Sequence, residues 1–240
     1  GNLNGEDIVR ILCKNEATPR FVCTRLFQFF AADEVDDEGS KVIDEMTRAY
    51  FESDYEIRAM LRTLFNSDYF KSDTARFARV KGPIELITGA VRMAGSYQTP
   101  NLGIGDVVNQ AFYMGQGLLN PPTVEGWHEG EEWIDSGALV ERVNFVASEL
   151  GDVDKPGIRA IIDRLATDLG GRLSPSEVVD RCLDLIGPVV VSDNTRSALT
   201  EHVSKRGDVD LTSHERGDEP EQRVGELLSL IAATREFQLA

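Results

Sequence analysis

The chain of 240 residues carries 41 acidic side chains against 25 lysines and arginines, which gives a formal net charge of −16. This surplus of acids argues against nucleic acid as a partner, because affinity for phosphate backbones depends on Lys and Arg, and it disfavours anionic membrane surfaces. A hydrophobic fraction of 41% is typical of folded globular proteins, and no apolar run reaches the about 18 residues that would predict membrane insertion.

The first residues of the chain differ from those of an export signal. Residues 1–5 contain neither a charged region nor an apolar region, and they lack an initiator Met. We therefore expect the chain to be an excised or processed part of a longer protein. The cysteines Cys13, Cys23 and Cys182 lack CxxC spacing, which argues against a disulfide framework and against a Cys-based zinc site.

Apolar residues recur with the period of an α-helix along nearly the whole chain. Two clear series are Ile57, Met60, Leu61, Leu64 and Phe65, and Val224, Leu227, Leu228 and Ile231. Each series fits one buried face of a helix. The predicted helices lie near residues 5–15, 18–32, 40–52, 54–66, 82–95, 103–116, 135–150, 156–169, 174–187, 193–205 and 219–233. The predicted fold is all-α, an irregular array of about ten helices.

Two helix starts have recognisable sequence signals. Thr18 before Pro19 is typical of an N-cap followed by a proline at the first helical position. Ser174 before a proline, with Glu177 three residues later, has the spacing of a capping box. The best strand candidate, residues 188–191, is too short to form a sheet without partners.

Two stretches interrupt the helical pattern. Residues 117–133 form a predicted long loop with two adjacent prolines and both tryptophans of the chain. Residues 206–221 are polar and charged, and we expect a solvated or mobile loop there. A seam near residues 151–156 predicts a helical core over 1–150 and a C-terminal helical subdomain over 151–240, with one continuous domain as the alternative.

Short motifs follow one another along the chain. They are residues 17–22 (Ala-Thr-Pro-Arg-Phe-Val) with Arg25 and Leu26, 80–85 (Val-Lys-Gly-Pro-Ile-Glu), 114–116 (Met-Gly-Gln), 120–122 (Asn-Pro-Pro) with Gly126 and Trp127, 142–145 (Arg-Val-Asn-Phe) and 236–238 (Glu-Phe-Gln). In this order they resemble the motifs of a bacterial family catalogued as domain of unknown function 1800, over about residues 5–238. The resemblance implies a helical fold, and the family has no assigned activity.

The resemblance also implies a context for the chain. The chain looks like the C-terminal half of such a protein, so its own N-terminal half is the first expected partner. Members are often encoded beside a family that looks sulfatase-like and exported, which implies an extracytoplasmic role. The chain departs from the family pattern in three of its motifs: Asn15-Glu16 replaces His-Pro, Gly117 replaces a proline after Gly-Gln, and His128 replaces a proline after Gly-Trp.

His128 stands beside three carboxylates, Glu129, Glu131 and Glu132. A histidine near carboxylates can bind a divalent metal or act in acid–base catalysis. A glycine interrupts this stretch, and no second histidine is placed to complete a coordination sphere. We therefore predict a solvated acidic loop, with no metal site, no cofactor and no catalytic residue.

Five residues in and after the loop are candidates for ligand binding. Trp127 and Trp133 could close over a sugar ring or a cation; alternatively, they attach the loop to the helices by burial. Asn120 and Asn144 could contact a ligand or hydrogen-bond backbone groups of the loop. Arg142 could join Arg20, Arg25 and Lys81 in an anion site; alternatively, these cations pair with Glu85 and other carboxylates.

Three functions remain open from the sequence. The first is a helical scaffold or interaction module that binds the N-terminal half or another protein. The second is a hydrolase whose site lies under the 117–133 loop, where Trp127, Asn120, Arg142 and Asn144 would converge. The third is a carbohydrate- or cell-envelope-binding module that uses Trp127 and Trp133.

Overall fold

The fold is that of a mainly helical protein. The computed structural model describes residues 3–99, 101–187, 189–212 and 217–240. Within these residues the chain forms eleven α-helices and one sheet of two short strands, which confirms the all-α prediction. No helix of the described ranges combines the length and the apolar character that a membrane crossing needs.

The helices lie close to the predicted ranges. They are α1 (Gly5–Lys14), α2 (Ala17–Phe30), α3 (Asp37–Glu52), α4 (Ile57–Asn66), α5 (Pro83–Ala94), α6 (Ile104–Tyr113), α7 (Ser136–Gly151), α8 (Pro156–Thr167), α9 (Pro175–Ile186), α10 (Asp193–Ser204) and α11 (Glu219–Ala232). The strands are β1 (Arg172–Leu173) and β2 (Val209–Asp210).

The two strands pair antiparallel, with Arg172 opposite Asp210 and Leu173 opposite Val209. The expectation of a solvated loop over 206–221 is therefore wrong for part of it, since Val209 and Leu211 are each 1% exposed, and residues 213–216 lie outside the described residues. The burial of Val209 and Leu211 against the helical core outweighs the polar composition around them. The strand candidate at 188–191 does not form a strand over residues 189–191, and Pro188 lies outside the described residues.

The chain divides into two compact units. Unit 1 comprises Gly1–Val80 with Ala240, and unit 2 comprises Lys81–Leu239. Helices α7 and α11 pack against each other within unit 2, although the seam expected near residue 151 lies between them in sequence. The division of the chain into 1–150 and 151–240 stays a prediction.

Unit 1 has its core where α2, α3 and α4 meet. Phe27, Met46 and Met60 are fully buried there. Gly39 allows α3 to approach α2, because a Cβ on Gly39 would lie 2.6 Å from Cζ of Phe27. The buried face of α4 is narrower than the sequence predicts: Met60 and Leu64 are buried, whereas Ile57 is 56% exposed.

Unit 2 is built on close contacts between helices that carry glycines. A Cβ on Gly225 of α11 would lie 2.7 Å from the carbonyl oxygen of Gly151 at the end of α7. A Cβ on Gly157 of α8 would overlap the carbonyl oxygen of Met93 in α5. These backbone approaches leave the apolar side chains around them buried in one core. The series Val224, Leu227, Leu228 and Ile231 is buried as predicted.

The two helix-start signals have different outcomes. Ser174 caps α9 as predicted, since its Oγ accepts from the backbone N–H of Glu177 while the Glu177 carboxylate accepts from the N–H of Ser174 at 2.8 Å. The prediction for Thr18 is wrong. Helix α2 begins at Ala17, whose N–H donates to Oδ1 of Asn15 at 2.9 Å, and Thr18 Oγ1 donates to the carbonyl oxygen of Leu12 instead.

Candidate functional site

The structure separates the five candidate residues by their burial. Arg142 has no exposed surface and Trp133 is 6% exposed. Trp127 is half-buried, whereas Asn120 and Asn144 are exposed. No hydrogen bond joins any two of these five side chains in the described part of the chain. The hydrolase hypothesis, which needs four of them to converge, stays a prediction.

The two tryptophans hold the 117–133 loop at different points, Trp127 within the loop itself and Trp133 at a residue that follows α6. Trp127 Nε1 donates to the carbonyl oxygen of Gly117 at 3.1 Å, and a tight turn closes between Thr123 and Gly126 just before it. Gly115, at φ +93°, lies under Trp133, because a Cβ there would be 3.7 Å from Cζ3 of that ring. The buried ring of Trp133 therefore serves to hold the loop, while part of the Trp127 ring faces solvent.

His128 forms a surface pair with one of the neighbouring carboxylates. Its Nδ1 lies 2.9 Å from Oε2 of Glu132, and the two side chains are 57% and 68% exposed. An exposed pair of this kind contributes little to stability. Among the described residues, no three His, Cys, Asp or Glu side chains are placed to hold a metal ion.

Arg142 joins segments that lie far apart in the sequence. Its Nε donates to Oε1 of Gln238 at 3.0 Å, and its Nη2 donates to the carbonyl oxygen of Lys81 at 2.7 Å. The third nitrogen, Nη1, is buried without a hydrogen-bond partner among the described residues. The guanidinium group thus binds the start of α5 to the end of the chain from its position on α7.

Lys81 completes this cluster from the other side. Its Nζ donates to the carbonyl oxygen of Phe237 at 2.7 Å and lies 4.7 Å from the centre of that ring. Its backbone N–H donates to the carbonyl oxygen of Gln238 at 2.9 Å. Gln116 adds a further bond, since its Oε1 accepts from the N–H of Ile84 at 2.9 Å.

Burial lowers the pKa of both cations of this cluster. Burial lowers the pKa of Arg142 to about 10, and the carboxylate of Glu85 partly offsets this change. Burial also lowers the pKa of Lys81, where Glu85 acts in the opposite direction and Arg142 adds to the decrease. Their hydrogen-bond acceptors are carbonyl and amide oxygens, so the cluster fixes backbone segments rather than forming the predicted carboxylate pairs.

The other two cations of the expected anion site lie in unit 1. Arg20 forms an ion pair with Asp44 of α3, and the guanidinium of Arg25 lies 5.8 Å from the ring centre of Phe21. Arg20 thus pairs with a carboxylate, as the alternative interpretation expects.

The cluster contains three residues that sequence reasoning did not select as site residues, Gln116, Phe237 and Gln238. The available signal was the terminal motif, which the resemblance places in one set with residues 80–85, 114–116 and 142–145. The structure brings these four segments together around the start of α5. Order along the chain alone does not predict which motifs meet.

A separate groove of about 670 Å³ lies between α10 and the last residues of the chain. Its lining includes the apolar side chains of Leu199, Leu230 and Leu239 and the carboxylate of Glu236. Glu236 Oε1 accepts from the hydroxyl of Thr195 at 2.9 Å, so this carboxylate holds α10 in place. None of the five candidate residues lines the groove.

Comparisons with known proteins identify one family. A family model described as "Protein of unknown function (DUF1800)" matches residues 1–239. The searches of curated proteins and of solved structures found no match to the chain.

Proposed function

We propose a function for this chain, which belongs to the DUF1800 family of proteins of unknown function: it is a helical scaffold or interaction module that binds a helical protein partner on α6. The observation that supports this proposal is an apolar strip on α6 that the described residues leave uncovered. We define the α6 strip as Ile104, Val108 and Phe112, whose exposed fractions are 54%, 47% and 61%.

The position of the strip on the helix is important. Residues four apart lie above one another on an α-helix, so the three side chains form one continuous line. The adjacent face of α6 is already in use, because Ala111 and Met114 are buried in a small core with Ile87 of α5. Helix α6 therefore has an inner apolar face that folds the unit and an outer apolar strip that remains free for a partner.

Exposure of such a strip has a free-energy cost that a partner would remove. Covering the exposed half of each of the three side chains would contribute about 1 kcal/mol per residue. An amphipathic helix with its own apolar stripe is the simplest cover, since helices pack by fitting rows of side chains into grooves. The N-terminal half expected from the family resemblance and a separate protein are the two sources of such a helix.

Cysteine labelling tests the proposal in the polypeptide as cells make it. Val108→Cys reports on the strip, and Asn109→Cys is the matched control, since Asn109 is exposed on the same helix. Both variants carry Cys13→Ser, because Cys13 is the half-buried native cysteine, whereas Cys23 and Cys182 are buried. A maleimide label is added to the purified chain, to the purified complete gene product and to cells.

The proposal predicts equal labelling of the two variants in the purified chain. In cells it predicts that Val108→Cys is labelled at least about tenfold more slowly, as expected when the strip is occupied about nine-tenths of the time. Protection already present in the purified gene product would identify a partner segment within the same polypeptide. Equal labelling of both variants under all three conditions would rule the proposal out.

A further inference from the structure

The segment that contains α6 and the following loop has an unusual charge distribution. From residue 93 to residue 141 the chain contains no lysine or arginine, although Arg92 and Arg142 flank it directly. The same segment contains the acids Asp106, Glu125, Glu129, Glu131, Glu132, Asp135 and Glu141. A partner that covers the α6 strip therefore meets Asp106 on the same helix and a following loop whose only charged side chains are carboxylates.

Most of this negative charge is not neutralised within the described part of the chain. Asp106, Glu125 and Glu131 form no ion pair with any described residue. Some acids elsewhere in the chain are paired, as in the bonds from Arg196 to Asp180 and from Arg206 to Glu226. The unpaired acids of the segment thus keep their full attraction for an incoming cation.

Apolar groups and acids share this surface. Phe112, at the end of the strip, lies against Gly117 of the loop, because a Cβ there would be 3.2 Å from its ring. Trp127 is bound to the same glycine through its Nε1. Leu118 and Leu119, which follow this glycine in the sequence, are 51% and 95% exposed. The strip therefore continues into an apolar part of the acidic loop.

From this combination we infer that the partner on the α6 strip is a basic amphipathic helix of a separate protein, with an apolar stripe flanked by Lys and Arg. The inference rests on the proposed docking function and adds the charge of the partner to it. A surface whose only task is solubility would expose acids without a line of large apolar side chains. Apolar anchors with a charged rim of one sign are what a helix-in-groove interface with electrostatic selection requires.

The strip has a suitable length for such a helix. From Ile104 to Phe112 it extends over eight residue steps, or about 12 Å at 1.5 Å per residue. This distance is about two helical turns, which matches the i, i+4 and i+7 anchors of an amphipathic ligand. A second copy of this chain is a poor cover, because two surfaces of equal negative charge repel each other.

Two synthetic peptides test the inference on the intact chain. Both form helices with the same leucine stripe, and one carries Lys while the other carries Glu on its flanks. Binding is measured by titration calorimetry at low and high salt. The Lys peptide should bind at least about tenfold more tightly than the Glu peptide, and its affinity should fall as salt rises.

Variants locate the binding surface. The double variant Val108→Ser/Phe112→Ser should bind the Lys peptide at least about tenfold more weakly, since two anchors are lost. The control Phe21→Ser changes an exposed apolar position of unit 1 and should leave the affinity unchanged. Glu125→Gln with Glu131→Gln should weaken it severalfold. The matched pair Glu52→Gln with Glu56→Gln removes two exposed acids of unit 1 and should leave the affinity unchanged.

The outcomes distinguish the two proposals. If both peptides bind equally well and the Val108→Ser/Phe112→Ser variant binds neither, the inference of a basic partner is wrong, and the proposal of docking on α6 remains. A Lys peptide that binds all variants alike, or that does not bind, also overturns the inference. Thiol protection of Val108→Cys in cells decides separately whether α6 is covered at all, and protection already present in the purified gene product would overturn a separate protein as the source of the helix.

Discussion

Arg142 Nη2 donates a hydrogen bond at 2.7 Å to the carbonyl oxygen of Lys81, 61 positions earlier in the chain. The same guanidinium group donates to Gln238, so one buried side chain ties the beginning of α5, the middle of α7 and the end of the chain together. A buried cation that is bonded to a backbone carbonyl and to a side-chain amide oxygen fixes a fold because each acceptor would otherwise lose its partner.

Replacing Arg142 by Ala should lower the free energy of unfolding by about 3 kcal/mol or more, because two buried acceptors lose their donor and a cavity remains. Arg92→Ala is the control, since Arg92 is exposed on α5, and it should change stability by less than about 0.5 kcal/mol. Urea denaturation measures both values. If the two variants prove equally stable, the cluster is not structural.

Two glycine-to-alanine changes should have opposite effects on stability. Gly157→Ala places a Cβ on the carbonyl oxygen of Met93 and 2.9 Å from the carbonyl carbon of Ala94, so α8 must move away from α5. We expect a loss of about 2 kcal/mol. Gly89→Ala in α5 meets nothing within 4 Å and should stabilise by about 0.5 kcal/mol. Thermal unfolding compares them; similar melting temperatures would contradict the close approach of α5 and α8.

The capping box of α9 provides a third test. Ser174→Ala removes the acceptor for the N–H of Glu177 and should cost about 1 kcal/mol. Ser197→Ala, at an exposed position inside α10, should be neutral or slightly stabilising. Chemical denaturation of the two single variants is sufficient, and a neutral Ser174→Ala would show that the cap does not stabilise α9.

Stability should depend on the ionisation of Glu236. Burial alone would raise its pKa, but hydrogen bonds from the Ser192 N–H and the Thr195 hydroxyl outweigh burial and lower the pKa. The carboxylate therefore stabilises the fold fully above the unfolded-state pKa, about 4.3, and this stabilisation is lost as the pH falls through the lower folded-state pKa.

Glu236→Gln should accordingly be less stable than the parent chain at pH 7, and the difference should shrink as the pH falls below about 4. Melting temperatures of both proteins from pH 7 to pH 3 provide the comparison. A difference that is constant over this range would show that the charge of Glu236 does not contribute.

The helices could be predicted because local periodicity determines them. The series at 224–231 is buried as its spacing indicates, and Ser174 caps α9 through atoms three residues apart. The burial of Val209 and Leu211 could not be predicted, since it depends on a strand pair with residues 172–173 that lie far away in sequence.

The candidate site was harder to predict for the same reason. The sequence makes both Trp133 and Arg142 candidates for ligand binding, and only the packing of distant segments shows that both are buried. Helical periodicity on α6 predicts an apolar face but does not tell which part of it the chain covers itself. Ala111 is covered and Val108 is not, and this difference carries the proposed function.

The ratio of the labelling rates of Val108→Cys and Asn109→Cys in cells tests most directly whether α6 is a docking surface. Docking predicts a ratio of about one tenth or less in cells and a ratio near one in the purified chain. A ratio near one in cells, with both variants folded, would contradict it.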